Sequence, residues 1–359
     1  QALPIRICAA CVAFLIVRNC IAFPFAMAVV RFALVLLATA GALRLSLAPD
    51  DERIVLTPQG PVPAWAVLDE DWGEAGDIQA KRHIDPEAQG FKDEARVLLE
   101  ERVAVGSRPV IYFVGDSLMR HQYQSFCELA TGLFPPQDDT WRVPGWKIMH
   151  NCSSELGYGV FLWSPEYAAD VVDVVRSYGH PEPTLLYVVS AFHLMHMHPN
   201  FTMNKIKLKH CARYKDDLRE LFDQTRRRVP NVGLTVMTPY AICESAYRDS
   251  WADLVKAHQQ DPRVATQPCI DDMLNETTGY DKATITDMCS KAWFLRDGSI
   301  WIRDMVREVV SSSADLPGGA PSLIDGWAMS DGDCDHTHDG RHWYRFNWLQ
   351  LSQLLHMNK

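Results

Sequence analysis

PVIYFVGDSLMRHQYQSFCELATGL, residues 109–133, is the stretch from which the rest of the chain is read. Pro109 to Val114 carry no polar interruption, as expected of a strand covered on both faces. Gly115-Asp116-Ser117 then makes an abrupt turn, and a helix begins almost at once. Leu118, Phe126, Leu129 and Leu133 recur at roughly helical spacing and give that helix an apolar face. The spacing therefore puts Ser117 at the carboxyl end of a strand, where open α/β sheets place their ligands. Its hydroxyl and N–H can then both point into a cleft. A plainer reading competes: Asp and Ser are favoured N-cap residues, and Asp116-Ser117 need only cap the helix.

Outward from this stretch, strands and helices alternate. Residues 91–105 read as an amphipathic helix ahead of it. Behind it, Gly159 to Trp163 reads as a strand and Glu166 to Tyr178 as a helix. Leu185 to Ala191 is a second buried strand. Cys211 to Val229 makes a long charged helix, and Val232 to Thr238 a third apolar strand. Tyr247 to His258 and Gly298 to Ser311 are helical, Leu323-Ile324-Asp325 is a last short strand, and Phe346 to His356 a closing helix. This alternation predicts an α/β fold, a three-layer α/β/α sandwich with a mostly parallel central sheet. Residues 259–295 show no such pattern and read as an irregular surface insertion.

The composition is that of a globular protein: 359 residues, 47% hydrophobic and 22% charged. A formal charge of −10 disfavours a nucleic-acid partner, and Arg226 to Arg228 end a predicted helix, where cations complement its dipole. Residues 1–48 form an apolar leader broken by Arg6, Arg18, Arg31 and Arg44. Its reading is open between a signal peptide starting at Met27 and a signal anchor over 19–43, with membrane attachment the expectation if it is uncleaved. Residues 49–90 are rich in Pro, Gly and acid and read as a stem, leaving 91–359 as the main domain. Of the ten cysteines, seven lie beyond the leader, at 127, 152, 211, 243, 269, 289 and 334. They are scattered without a CxxC pair, which argues for disulfides in an oxidising compartment, with at least one left over. Three of the eight asparagines open N-glycosylation sequons, Asn151, Asn200 and Asn275. Leader, cysteines and sequons together point to the secretory pathway: the Golgi lumen as a single-pass membrane protein, or secretion.

A serine is a weak nucleophile until a base takes its proton, and the base needs a third group to orient it. The last loop, DGDCDHTHDGRHW at 331–343, is the densest source of both. It holds two Asp-x-x-His patterns, Asp333…His336 and Asp339…His342. The second is preferred, because Asp339-Gly340 makes a turn and His342 runs directly into the closing helix. Asp333 to His336 then serves as a disulfide-pinned turn. His336, His338 and His342, or His193, His196 and His198, are also a possible divalent-ion set, but without further context no metal is expected. Gly115-Asp116-Ser117 lacks the G-x-S-x-G of the α/β-hydrolase elbow.

These residues resemble the SGNH (GDSL-type) esterase superfamily, and within it the PC-esterase branch. That branch includes the plant trichome-birefringence-like polysaccharide O-acetyltransferases and the luminal domain of sialic-acid O-acetyltransferases. The Gly-Asp-Ser block commonly continues with Arg and then Gln, here Arg120 and Gln122. VFLWSPEY at 160–167 is similar to a plant WSP-type segment, LLYVVSAFHLMH at 185–196 to the block with an Asn-x-Gly-His-like ending, and DGRHW to the closing Asp-x-x-His block. The resemblance spans roughly residues 108–358 and implies an SGNH-like fold. It further implies Ser117 as nucleophile, His342 as general base and Asp339 as its orienter. The Ser117 N–H would form the oxyanion hole, with Ser190, His193 and Gly157 or Gly159 as helpers; Arg120 and Gln122 would sit at the substrate. Ser190 stands where the family has Asn and Phe192 where it has Gly. The implied activity is O-acetyl transfer to a glycan or polysaccharide hydroxyl through an acyl-serine, without a bound cofactor. Acetyl-CoA or an acetylated intermediate would be the donor. The alternatives are a carbohydrate O-acetyl esterase with the same residues, or an inactive carbohydrate-binding domain.

Overall fold

The computed structural model describes residues 44–45, 54–57, 60–63, 86–132, 149–164, 171–178, 184–189, 195, 205–275, 279–291, 293–337 and 339–358; at 205–212 and some other helical positions it describes the backbone. Two compact units divide the chain, residues 1–69 with 142–146, and residues 70–141 with 147–359. In the first, β1 (Arg44–Leu45), β2 (Ile54–Thr57) and β3 (Gly60–Pro63) form a small antiparallel sheet, so part of the expected stem is strand. The apolar leader lies almost wholly outside the described residues. No helix among those described is long and apolar enough to cross a membrane.

The second unit runs α1 (Pro86–Ala104), β4 (Val110–Gly115), α2 (Ser117–Thr131), β5 (Met149–Ser154), β6 (Gly157–Trp163), α3 (Val171–Tyr178), β7 (Thr184–Val189), α4 (Lys205–Arg228) and β8 (Gly233–Met237). It continues through α5 (Asp249–Gln260), α6 (Pro262–Asn275), α7 (Lys282–Lys291), α8 (Arg296–Ser312), β9 (Ser322–Ile324), α9 (Gly326–Ser330) and α10 (Arg345–Met357). Six strands make one sheet in the order β5-β6-β4-β7-β8-β9. All neighbouring pairs are parallel except β5 with β6. Helices surround the sheet: α2 packs on β4 and β6 with α1 and α10 beyond it, while α4 packs with α3 and α8. The arrangement is mostly parallel α/β and compatible with a three-layer sandwich.

β4 lies at the centre, paired with β6 on one side and β7 on the other. Every residue of β4 is buried, as its uninterrupted apolar run requires. Three features depart from the sequence reading. β5, MHNCSS, is a polar strand and went unrecognised; it is the antiparallel edge, where one row of backbone groups stays unpaired and polar side chains are the norm. Residues 259–295 are not irregular but contain α6 and α7, joined by the Cys269–Cys289 disulfide, which supplies a constraint that periodicity does not reveal. Finally, α2 is covered well beyond the apolar face its spacing gives: residues 117–130 are all buried, because α1 and α10 cover the side away from the sheet.

Three disulfides form among the described residues, Cys127–Cys152, Cys243–Cys334 and Cys269–Cys289. The first ties α2 to β5. Cys211 falls at a position of α4 whose side chain is outside the description. Two sequon asparagines, Asn151 on β5 and Asn275 at the end of α6, are exposed, and Asn200 lies outside the described residues.

Candidate active site

Gly115 ends β4 with φ +156°, and a Cβ there would lie 1.6 Å from the carbonyl oxygen of Val189. Only glycine lets β4 and β7 approach this closely at the turn. Asp116 follows as the N-cap of α2, its side chain accepting from the Leu118 N–H at 3.0 Å. Ser117 is thus the first helical residue. Its N–H belongs to the group that has no acceptor within the helix. The cap and the candidate nucleophile are therefore different residues, and the two readings of the motif hold together.

Ser117 and His342 are each 3% exposed, and the His342 Nε2 stands 3.0 Å from the Ser117 Oγ. His342 Nδ1 stands 2.6 Å from Asp339 Oδ2. The loop bearing this pair is held at several points. Gly340, at φ +78°, faces the Cys243 carbonyl so closely that a Cβ would come within 2.4 Å of it. The Cys243 N–H donates to the Gly340 carbonyl at 2.7 Å, and the Cys243–Cys334 disulfide pins the start of the loop. Thr337 Oγ1 donates to the His342 carbonyl at 2.9 Å, and Trp343 Nε1 to the Asp333 carbonyl at 2.9 Å. The other Asp-x-x-His pattern forms its own pair, His336 Nδ1 with Asp333 Oδ1 at 2.5 Å, with a His336 side chain that is 49% exposed. It makes the turn beside the disulfide, and Ser117 meets the other histidine.

The remaining expected site residues divide. Arg120 is buried in the first turn of α2. Gln122 is fully buried, but its amide nitrogen contacts Tyr240 Oη, Asn347 Oδ1 and Gln350 Oε1 in a polar network joining α2 to α10. That corrects its assignment to the substrate: five residues beyond Ser117 on a helix, it points to a different side. Gly157 and Gly159 are likewise misplaced as oxyanion helpers. They begin β6, whose register sets Tyr158 opposite Val110 and Trp163 opposite Gly115, so at ~3.3 Å per residue Gly157 lies roughly 20 Å and Gly159 roughly 13 Å along the strand from the Gly115 end. Their function is packing, since a Cβ at either would collide with the Phe126 ring at 2.9 or 2.7 Å. Ser190 and His193 lie outside the described residues, as do His196, His198 and His338.

At the end of β6 nearest the site stands Ser164, 2% exposed, whose N–H donates to the Gly115 carbonyl at 2.9 Å. Sequence reasoning also passed over His121, one helical turn from Ser117, although the i, i+4 spacing places the two on one face. Its ring meets that of His342 edge to face at 4.9 Å, and its Nε2 lies 3.2 Å from the Tyr344 hydroxyl. Trp163 and Trp343 are buried. Next to the loop a cavity of about 640 Å³ is lined by Glu244, Ser245, Arg296, Asp331, Cys334 and Trp343 among others, but by neither Ser117 nor His342. Among the described residues no group of three His, Cys, Asp or Glu side chains is placed to hold a metal ion.

Chemically, this is a hydroxyl hydrogen-bonded to an imidazole whose other nitrogen is fixed by a carboxylate, at a helix N-terminus and at the carboxyl end of parallel strands. Such a set can move a proton from an attacking oxygen and return it to a leaving group. No family model matches the chain, and no curated protein matches it.

Proposed function

We propose that this protein is a serine-dependent O-acyltransferase of the SGNH type that transfers acetyl groups to glycan or polysaccharide hydroxyls. The observation that carries the reading is His342 bridging Ser117 and Asp339 at 3.0 and 2.6 Å. In the first step Ser117 Oγ attacks the acetyl carbonyl carbon and gives its proton to His342 Nε2. The tetrahedral intermediate collapses, and the leaving thiolate or alkoxide takes that proton. In the second step a glycan hydroxyl gives its proton to His342 as its oxygen attacks the acyl carbon, and Ser117 Oγ leaves and is reprotonated. Asp339 holds the ring in the tautomer that presents Nε2 as acceptor. The Ser117 N–H, at the positive end of α2, faces the developing oxyanion.

Hydrolysis differs only in that water replaces the glycan hydroxyl, so an esterase with the same residues is the second reading. The three disulfides and the exposed Asn151 and Asn275 support residence in the secretory pathway.

Incubating the purified chain with a panel of acetylated polysaccharides and an acceptor separates transferred acetyl from free acetate. A fluorophosphonate probe should label Ser117, and Ser117→Ala should lose labelling together with at least about a thousandfold of the acetyl turnover. Full turnover in Ser117→Ala would sink the mechanism. An unlabelled, inactive wild-type chain would point instead to a carbohydrate-binding role.

A further inference from the structure

Asp339 does not serve His342 alone. Its Oδ2 accepts from His342 Nδ1 at 2.6 Å and from Arg341 Nε at 3.0 Å. Oδ1 accepts from the N–H groups of Arg341 and His342 at 3.1 and 3.0 Å. The Arg341 side chain is only 11% exposed, and its guanidinium lies 6.0 Å from the centre of the Phe294 ring. Tyr247, which donates to the Phe294 carbonyl at 3.1 Å, borders the same pair. Burial pushes the Tyr247 phenol well above its ordinary range; Arg341 pulls it back, while Asp339 and Glu244 add to the rise.

We propose that Arg341 is a positioning residue that shares Asp339 with His342 and limits how strongly the carboxylate draws a proton onto the ring. The proposal rests on the reading of Ser117, His342 and Asp339 as the reacting set. A carboxylate oxygen occupied by a guanidinium is a weaker acceptor for the Nδ1 proton, and the cation behind it opposes a second positive charge on the imidazole. Among the described residues, other groups near this arrangement are Ser117 and His121 on α2, Thr337 on the same loop, Tyr344 beyond His342, and Tyr247 and Glu244 beside the Asp339–Arg341 pair. Among the described residues, Arg341 is a cation bonded to the carboxylate that holds the ring.

The test compares wild type, Arg341→Gln and Arg341→Lys in the full chain, by the pH profile of kcat/KM for acetyl release. Proton NMR of the His342 Nδ1–H in the resting protein provides a readout that needs no turnover. In Arg341→Gln the acidic limb is expected to move to higher pH, and the Nδ1–H resonance to move downfield. Arg341→Lys keeps the charge and should hold the limb close to wild type. An unmoved limb and resonance in Arg341→Gln overturn the proposal. So does an equal displacement in both variants, which would mark lost packing rather than lost charge. A displaced resonance in a chain that shows neither labelling nor turnover would sink the acyl-transfer reading and, with it, the part of Arg341 in a reaction, leaving only its charge effect on the ring.

Discussion

Among the described residues, four N–H donors converge on the carboxylate of Asp339, two from the backbone and two from side chains, so its orientation is set before any substrate arrives. Asn at this position keeps one acceptor oxygen but presents an N–H to His342, which selects the wrong ring tautomer. Asp339→Asn should therefore lower kcat about ten-thousandfold while shifting the urea midpoint little. Single-turnover acetylation of Ser117 measures the first effect; a variant within tenfold of wild type would remove Asp339 from the mechanism. That Ser117, Asp339 and His342 were candidates to meet was legible in the sequence, because one loop held an Asp-x-x-His pair running directly into the closing helix. Gln122, Gly157 and Gly159 were misread for the opposite reason. A motif position says which residue is present, not what lies against it, and the Phe126 ring decides what the glycines are for.

The helix α2 joins the candidate site to the core. Its start carries the Asp116 cap and Ser117, and its middle carries Gln122 in the network with Tyr240, Asn347 and Gln350. Removing one partner of a buried network costs about 1–3 kcal/mol, since the others lose their hydrogen bonds without gaining water. Gln122→Ala is accordingly expected to lower the unfolding free energy by about that amount, yet leave the acceptor KM within twofold of wild type. Denaturant melts and initial rates at varied acceptor concentration check both halves. A tenfold rise in KM on an unchanged fold would return Gln122 to the substrate. The apolar face of α2 was visible in its spacing; its complete burial was not, because that depends on α1 and α10, which arrive from the two ends of the domain.

Across the whole unit, the three disulfides act on different regions. Cys243–Cys334 closes a separation of 91 residues and Cys269–Cys289 one of 20. Chain-entropy reasoning gives them about 4–5 and about 3 kcal/mol respectively. Their effects on the site should diverge more than their effects on stability. The first adjoins the loop that carries Asp339 and His342, whereas the second joins α6 to α7. Replacing both members of Cys269–Cys289 by Ser should lower Tm and leave the rate of fluorophosphonate labelling at Ser117 unchanged. The same change at Cys243–Cys334 should slow labelling at least about tenfold, since the imidazole then loses a defined position. Equal labelling rates in the two double variants would contradict this division.

Local order was enough to specify the alternation of strands and helices, the buried character of β4 and β7, and the residue types that meet at the carboxyl end of the sheet. Uninterrupted apolar runs and helical spacing are properties of neighbours in the chain, and they need no fold to be seen. Partners far apart in sequence were another matter. The meeting of Ser117 and His342 across a separation of 225 residues, the covering of α2, the pairing of β5 with β6 and the sharing of Asp339 with Arg341 are settled by packing. Each depends on which surfaces come together when the apolar faces leave water, and no local pattern encodes that choice.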